Sequence, residues 1–342
     1  MTNPDFKKEI ERWKGFSSIW GKPAPEVGQT PKTAVWRKNK AVVWYYPAKQ
    51  KKYETPLFLI YSLVSQPYIL DLKPGSSMIQ AFTDLGYDVY LLDFGIPGYE
   101  DKDITLDDYI NRYIEKAVQR SLRHSKTPDI TIIGYCLGGT LATIYAAVTK
   151  DPIKNLILFV TPLDFSELPL TAQWRKELKN EQKKIEQLID QYGIIPANVI
   201  DHAIKLVTSP ISLTPYLALL EHSYDEQYVV KWRSFNQWAK DHIPFVGATL
   251  KPLIFDIALD NKLIKNKLII NKQRVDLNNI KANLLVVSTT DDELVPEQLT
   301  SSIMNLVSSK NKMYKRVRGG HASIAIKGRL PEFLKHWLSK HS

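Results

Sequence analysis

The chain has 342 residues, 44% of them apolar, with 46 basic against 36 acidic side chains, a net charge of +10 and a single cysteine. That length buries a full core and allows one large α/β domain or two smaller ones, while one cysteine excludes an internal disulfide framework and suits a reducing compartment. No apolar run is long enough to cross a bilayer, and residues 1–9 lack an apolar signal core, so the expectation is a cytoplasmic protein without a transmembrane segment.

Taken in chain order, residues 1–37 read as an N-terminal surface segment, because its Pro-rich stretch Gly21-Lys22-Pro23-Ala24-Pro25-Glu26-Val27-Gly28 suits neither a regular helix nor a central strand. Apolar runs predict strands at 41–46 and 57–61, a helix near 78–85, a strand at 88–93 and a helix over about 106–123. A β-branched run that leads into Ile132-Ile133-Gly134 and a strand at 156–161 follow. Strands alternating with helices indicate a mostly parallel sheet. From about 164 to 272 the alternation stops and charged helices, tryptophans and proline-broken turns take over. Over 174–192, Leu178, Ile185, Leu188, Ile189 and Tyr192 share one helical face, the pattern of a surface helix laid on something apolar. Trp232, Trp238 and Phe245-Val246-Gly247 lie farther along. Aromatic residues in such helices are most often core. A helical insertion at 164–272, between two halves of a core at 38–163 and 273–342, is nevertheless placed to act as a cap or lid that excludes water. Strands are predicted again at 284–288 and 312–317, each running into a polar loop.

The lone cysteine stands in Ile132-Ile133-Gly134-Tyr135-Cys136-Leu137-Gly138-Gly139-Thr140, between the β-branched run and a helix-forming stretch. This is the spacing of a nucleophile elbow, where a strand turns into a helix within a residue or two and side chains at the flanking glycines would collide with the turn. The helix N-terminus favours a thiolate, and the Leu137 N–H is positioned to hold an oxyanion. The bland alternative is a small buried hydrophobe. Elbow sheets present their partners in the order nucleophile, acid, histidine. Thr289-Thr290-Asp291-Asp292-Glu293-Leu294-Val295-Pro296 offers the acid, and Arg318-Gly319-Gly320-His321-Ala322-Ser323 the imidazole. Singly, Asp292 could cap a turn and His321 could be a surface residue; three elements in order at strand ends predict an α/β-hydrolase fold, a mostly parallel central sheet with a helical cap. The D-x-x-V-P spacing selects Asp292 over Asp291, which reads as a loop residue capping free N–H groups.

The basic excess invites an anionic partner. Without a basic stripe interleaved with aromatics, or a zinc or RNA-binding signature, nucleic acid is not expected. A polyanion such as coenzyme A fits, with most charge spread over solvated helices, as at Arg175 to Lys184.

Several segments together resemble the polyhydroxyalkanoate synthases, in particular the shorter class III and class IV catalytic subunits, over about Gln29 to Trp337. They are Gly134-Tyr135-Cys136-Leu137-Gly138-Gly139, Gln66-Pro67-Tyr68-Ile69-Leu70-Asp71-Leu72, Leu106-Asp107-Asp108-Tyr109-Ile110, Val275-Asp276-Leu277-Asn278-Asn279-Ile280-Lys281 and Gly320-His321. The resemblance implies a Cys-Asp-His acyltransferase that polymerises (R)-3-hydroxyacyl groups, 3-hydroxybutyryl first among them, from coenzyme A thioesters through an acyl-Cys136 intermediate. The thioester is the substrate, and neither a cofactor nor a metal is implied. A second oxyanion donor is expected from Val64 or Ser65, after the strand at 57–61, as in this fold generally. The resemblance also implies a second synthase subunit, a second copy of the chain as a homodimer, and location at the polyester granule surface. Three positions depart from the family pattern: Ser65 where Asn is usual, Phe94 in place of Trp, and Glu293 in place of the His after the aspartate. The competing expectations are a cysteine hydrolase of the dienelactone-hydrolase kind and a non-catalytic granule scaffold.

Overall fold

Continuous apolar runs make the interior strands, and charged, partly exposed ones make the edges. The computed structural model describes residues 4–18, 23–166, 172–207, 219, 221–223 and 225–342. The main sheet consists of β1 (Thr33–Lys38), β2 (Ala41–Tyr46), β3 (Leu57–Ile60), β4 (Val89–Asp93), β5 (Ile130–Tyr135), β6 (Ile153–Phe159), β7 (Asn283–Thr289) and β8 (Lys312–Val317). Their spatial order is β1-β2-β4-β3-β5-β6-β7-β8. All pairs from β4 to β8 are parallel, whereas β2 runs antiparallel to both β1 and β4. Every residue of β3 and β5 is buried, as strands covered on both faces require. At the edges, β1 carries Arg37 and Lys38, and β8 carries Lys312, Lys315 and Arg316, charges that discourage pairing with another chain.

Alternation along the strands divides the core into two layers. Ile132, Leu158 and Val286 face one layer, together with Leu141, Ile144 and Val118 from the helices Leu137–Val148 and Glu115–Ser125. Ile133, Ile157 and Leu285 face the other, with Phe82 from Met78–Leu85 and Leu334 and Trp337 from Glu332–His341. Helices thus cover both faces of a parallel sheet, and β3, β5, β7 and β8 all end at one rim. The chain leaves β3 for β4 on one side and takes up β5 on the other, so the crevice at their carboxyl ends is a topological switch point, the usual place for a ligand in such sheets.

The N-terminal region, expected as a surface segment, carries regular structure that its prolines did not suggest. Pro4–Ser18 is a helix, and Thr33–Lys38 is already strand β1, crossing the boundary at residue 37. The helix is held by tertiary contacts that local sequence does not announce: Phe16 packs on a small cluster with Leu219, Val229 and Trp232, and the Ser223 hydroxyl donates to the Arg12 carbonyl. Residues 23–29 lack regular structure, as their prolines dictate.

Among the described residues between β6 and β7 lie four longer helices, Ala172–Asn180, Gln182–Tyr192, Ala197–Val207 and Glu226–Lys240, with short two-stranded ribbons at Ile194–Ile195 with Phe245–Val246 and at Ile269–Ile270 with Gln273–Arg274. The helix expected over 174–192 is broken at Glu181. On its apolar face Ile189 is buried and Ile185 packs on the core, while Leu188 and Tyr192 stay more than half exposed. The side chain of Trp174 lies outside the described residues.

Candidate active site

At Cys136 the backbone does what no ordinary residue prefers. Its φ of 53° and ψ of −131° put it on a sharp turn between β5 and the helix Leu137–Val148, a conformation that costs about 1–3 kcal/mol and persists only where the surroundings enforce it. The enforcement is visible: the Cys136 N–H donates to the Phe159 carbonyl at 3.0 Å, and its carbonyl accepts from Gly139 N at 2.8 Å. A Cβ on Gly134 would run into the backbone of Gly139, and one on Gly138 would lie 2.6 Å from the carbonyl of Tyr61. A side chain at Gly134 would push the helix off its own strand, and one at Gly138 would push it away from β3. The sulfur is half-buried at the strand's carboxyl end, and the Leu137 N–H, in the first turn of the helix, has no intrahelical acceptor.

Asp292 follows β7 in a tight loop. Its carboxylate is fully buried and satisfied: Oδ1 accepts from the N–H groups of Leu294 (3.0 Å) and Val295 (2.8 Å), and Oδ2 lies 2.8 Å from His321 Nδ1. These bonds fix the carboxylate's aim. Pro296 and the buried Val295 hold the loop that supplies them. Asp291, by contrast, is exposed, and its carboxylate accepts no hydrogen bond among the described residues. The N–H groups that Asp291 was expected to cap belong to Asp292, because the loop turns back over the second carboxylate and not the first.

His321 is carried by the loop after β8. Its backbone carbonyl accepts from the Tyr135 hydroxyl at 2.6 Å, tying the loop to the residue before the nucleophile. Burial disfavours the charged imidazole, but the charge of a Cys136 thiolate and hydrogen bonds to Asp292 and Cys136 outweigh it, and the pKa is pushed up to about 10. The ring therefore lies between the sulfur and the carboxylate. The structure brings together Cys136, His321 and Asp292 in the order and at the strand ends that the sequence predicts.

The loop after β3 faces the elbow. Here the Val64 N–H points at the Ser62 hydroxyl, 3.2 Å away, and so is already engaged; the Val64 carbonyl accepts from Ile243 N at 3.0 Å. Ser65 is buried, with its hydroxyl 3.3 Å from the Tyr61 hydroxyl. Of the two N–H groups expected after β3, that of Val64 is thus engaged locally, while that of Ser65 has no backbone acceptor among the described residues. A local turn made by Ser62 is what engages the Val64 N–H.

Above these groups is a cavity of about 690 Å³. Its floor is the elbow, the β3 loop and the Asp292 and His321 loops; its other wall comes from residues 164–272, with Phe165, Ile204, Phe235, Trp238 and His242. That wall is bonded to the β3 loop at three points: Trp238 Nε1 donates to the Gln66 carbonyl (3.0 Å), the Tyr68 hydroxyl to Asp241 (3.1 Å), and Ile243 N to Val64. Trp238 thus turns one face to the cavity and its N–H to the loop. Trp232, the other tryptophan singled out in this helix, packs instead on the cluster of Leu219 and Val229 that Phe16 of the N-terminal helix also covers. Sequence reasoning passed over His242, Phe235 and Ile204, whose place in the wall depends on tertiary folding. Phe94 packs edge-on against Tyr109 away from this wall, and Glu293 lines the cavity.

Comparison with known proteins agrees with this construction. A family model for the alpha/beta hydrolase fold matches residues 67–192. In fold, the chain is similar to a soluble variant of monoglyceride lipase from Saccharomyces cerevisiae, with a TM-score of 0.55 at 15% identity over 94% of this chain and 97% of that one. Poly(3-hydroxyalkanoate) polymerase subunit PhaC from a Synechocystis strain is 30% identical over 325 residues, 92% of this chain and 86% of the relative. That from Allochromatium vinosum is 29% identical over 95% of this chain and 91% of the relative. The PhaC subunit of Haloferax mediterranei is 32% identical over 307 residues, and the chain spans 62% of its length; for Haloarcula marismortui the share is 65%. On this likeness along nearly its whole length, the chain belongs to the poly(3-hydroxyalkanoate) polymerase family, among its PhaC subunits.

Proposed function

We propose that the chain is the catalytic subunit of a polyhydroxyalkanoate synthase, joining (R)-3-hydroxyacyl groups from coenzyme A thioesters into polyester. The observation that carries this is a lone thiol on a strained elbow, within reach of an imidazole that a buried carboxylate orients, in a chain of this family. In this reading the Cys136 thiolate attacks the thioester carbonyl, the oxyanion rests on the N–H groups of Leu137 and Ser65, and the imidazolium of His321 gives its proton to the departing coenzyme A thiolate. Acyl transfer between two thiols is nearly neutral in energy, so the acyl-cysteine keeps enough driving force for attack by an alcohol. The hydroxyl of a second hydroxyacyl unit then replaces the sulfur, forming an ester and returning the thiol. Asp292 holds the Nδ1 tautomer and balances the imidazolium. Residues 164–272 act as a cap that keeps water from the acyl-enzyme; the apolar wall of Phe165, Phe235 and Trp238 supports that role.

The relatives are named as subunits, which supports a second synthase subunit as partner, and the polyester granule as the place of work follows from the insoluble product. Among the described residues no helix is long and apolar enough to cross a membrane. The test is incubation with 3-hydroxybutyryl coenzyme A, with and without candidate partner subunits, following thiol release and polymer together. Both rising together is expected. Thiol release without polymer would identify a hydrolase, and neither would leave a scaffold.

A further inference from the structure

The cavity wall opposite the elbow holds a second histidine paired with a second carboxylate. His242 lies just past the helix Glu226–Lys240 and lines the cavity; its Nδ1 is 3.4 Å from Asp201 Oδ1, on the helix Ala197–Val207. Asp201 is itself anchored by Lys205 at 2.5 Å, and Ile204, nearly one turn farther along that helix, also lines the cavity. Nδ1 is sealed from solvent and makes no hydrogen bond, with the Asp201 carboxylate facing it at 3.4 Å. Nε2 is neither sealed nor bonded among the described residues, and the ring that carries it lines the cavity. Burial holds the imidazole's pKa below its ordinary value against the pull of Asp201 and Asp241, with Lys205 adding to the decrease, so the ring is neutral near pH 7. The negative charge of Asp201 facing Nδ1 favours the proton on that nitrogen, which leaves Nε2 as a hydrogen-bond acceptor. An acceptor in a wall otherwise built from Phe165, Ile204, Phe235 and Trp238 calls for a donor on the ligand.

We propose that His242 Nε2, aimed by Asp201, accepts a hydrogen bond from the 3-hydroxyl of the acyl group and so makes the site select hydroxyacyl over plain acyl thioesters. This rests on the synthase reading above and adds the residue that reads the hydroxyl. Its position also suits the reaction. The segment bearing His242 is joined to the oxyanion loop through the Ser65–His242 bridge and the Ile243–Val64 hydrogen bond, so the hydroxyl is referenced to the same loop that holds the thioester oxygen. A buried acceptor left without its donor is what penalises a ligand lacking the hydroxyl.

The experiment compares 3-hydroxybutyryl coenzyme A with butyryl coenzyme A, measuring the single-turnover burst of coenzyme A and the steady-state kcat/KM in wild type, His242→Phe and His242→Gln. Wild type should prefer the hydroxylated thioester. In His242→Phe that preference should fall on the order of tenfold to hundredfold, the scale of one lost hydrogen bond in a buried site, and His242→Gln, whose side-chain oxygen can accept, should recover part of it. A merely structural role would slow both thioesters alike and leave their ratio unchanged, which would overturn the assignment even if His242→Phe is destabilised. An unchanged ratio in His242→Gln and His242→Phe together, with wild type active, sinks this inference alone; a wild type that releases no coenzyme A from either thioester sinks the synthase reading instead.

Discussion

The two walls of the cavity are built on different principles. On the sheet side, Cys136, Asp292 and His321 each stand within a few residues of a parallel strand's end, and their positions follow from strand register and two tight loops. On the opposite side, Trp238 and Ile204 come from helices, and His242 from the turn just past one, whose order along the chain says nothing about which faces meet. The first wall is fixed by backbone geometry and the second by side-chain packing and three hydrogen bonds to the β3 loop. Substitutions in the first should therefore act on chemistry with the fold intact, and substitutions in the second should act in smaller steps through placement and selectivity.

Cys136→Ala gives the largest effect. It removes the sulfur and nothing that holds the turn, since the bonds at this position are made by its N–H and carbonyl. Coenzyme A release should disappear while the melting temperature is kept within a few degrees. An alanine variant with substantial turnover, together with a wild type resistant to iodoacetamide, would remove Cys136 from the chemistry.

Asp292→Asn comes next. The variant keeps the shape but loses the charge that balances the imidazolium, and the serine-protease analogue loses roughly 10⁴ in turnover. The same change should lower the His321 pKa, because Asp292 is among the groups that raise it. In wild type a pKa pushed from 6.5 up to about 10 means that the imidazolium's contribution to stability is complete below about pH 6.5 and is lost as the pH rises through about 10. In the variant that loss should begin at lower pH. Imidazole titration by NMR and melting temperature as a function of pH would show it; an unmoved titration would mean that the sulfur alone sets the charge of the ring.

The second wall responds more weakly. Tyr68→Phe keeps the ring and removes only the hydroxyl that donates to Asp241. It should cost about 0.5–1.5 kcal/mol, the net worth of one such bond. If the contact steadies the oxyanion loop, kcat should fall several-fold with KM nearly unchanged. A double-mutant cycle with Asp241→Asn should show the two losses to be non-additive. Additive losses would mean that the two walls are not coupled here.

How much of this was legible depended on the distance over which each feature is determined. The elbow, both polar loops and strands β2 to β8 were readable because apolar runs, glycines and loop residues act within a few positions. The parallel sheet followed from strand–helix alternation. The N-terminal helix was missed because its contacts are with Leu219, Val229 and Ser223, some two hundred residues away in sequence, and β1 because an edge strand such as Thr33–Lys38 has no continuous apolar run. His242 carries no local signal, and only the folded chain sets it beside Asp201 and over the sulfur's cavity. The engagement of the Val64 N–H by Ser62 is a local event, and a serine two residues before a predicted donor was the clue available.

The smallest effect tests the adjacent carboxylates against each other. Sequence spacing assigned the imidazole to Asp292 and the capping of free N–H groups to Asp291, with a cost of about 1 kcal/mol for losing such a cap. The fold gives both tasks to Asp292, one oxygen to His321 and the other to Leu294 and Val295, and leaves Asp291 exposed at the cavity rim. Asp291→Asn should therefore change stability by no more than about 0.5 kcal/mol, the usual range for an exposed position, and leave kcat near the wild-type value. Removing a negative charge from the rim should also leave KM for the anionic thioester unchanged or slightly lower. Melting temperature and steady-state kinetics on both asparagine variants decide the matter: a turnover loss in Asp291→Asn comparable to that in Asp292→Asn would mean that the loop rearranges when substrate binds and offers the first carboxylate to the histidine.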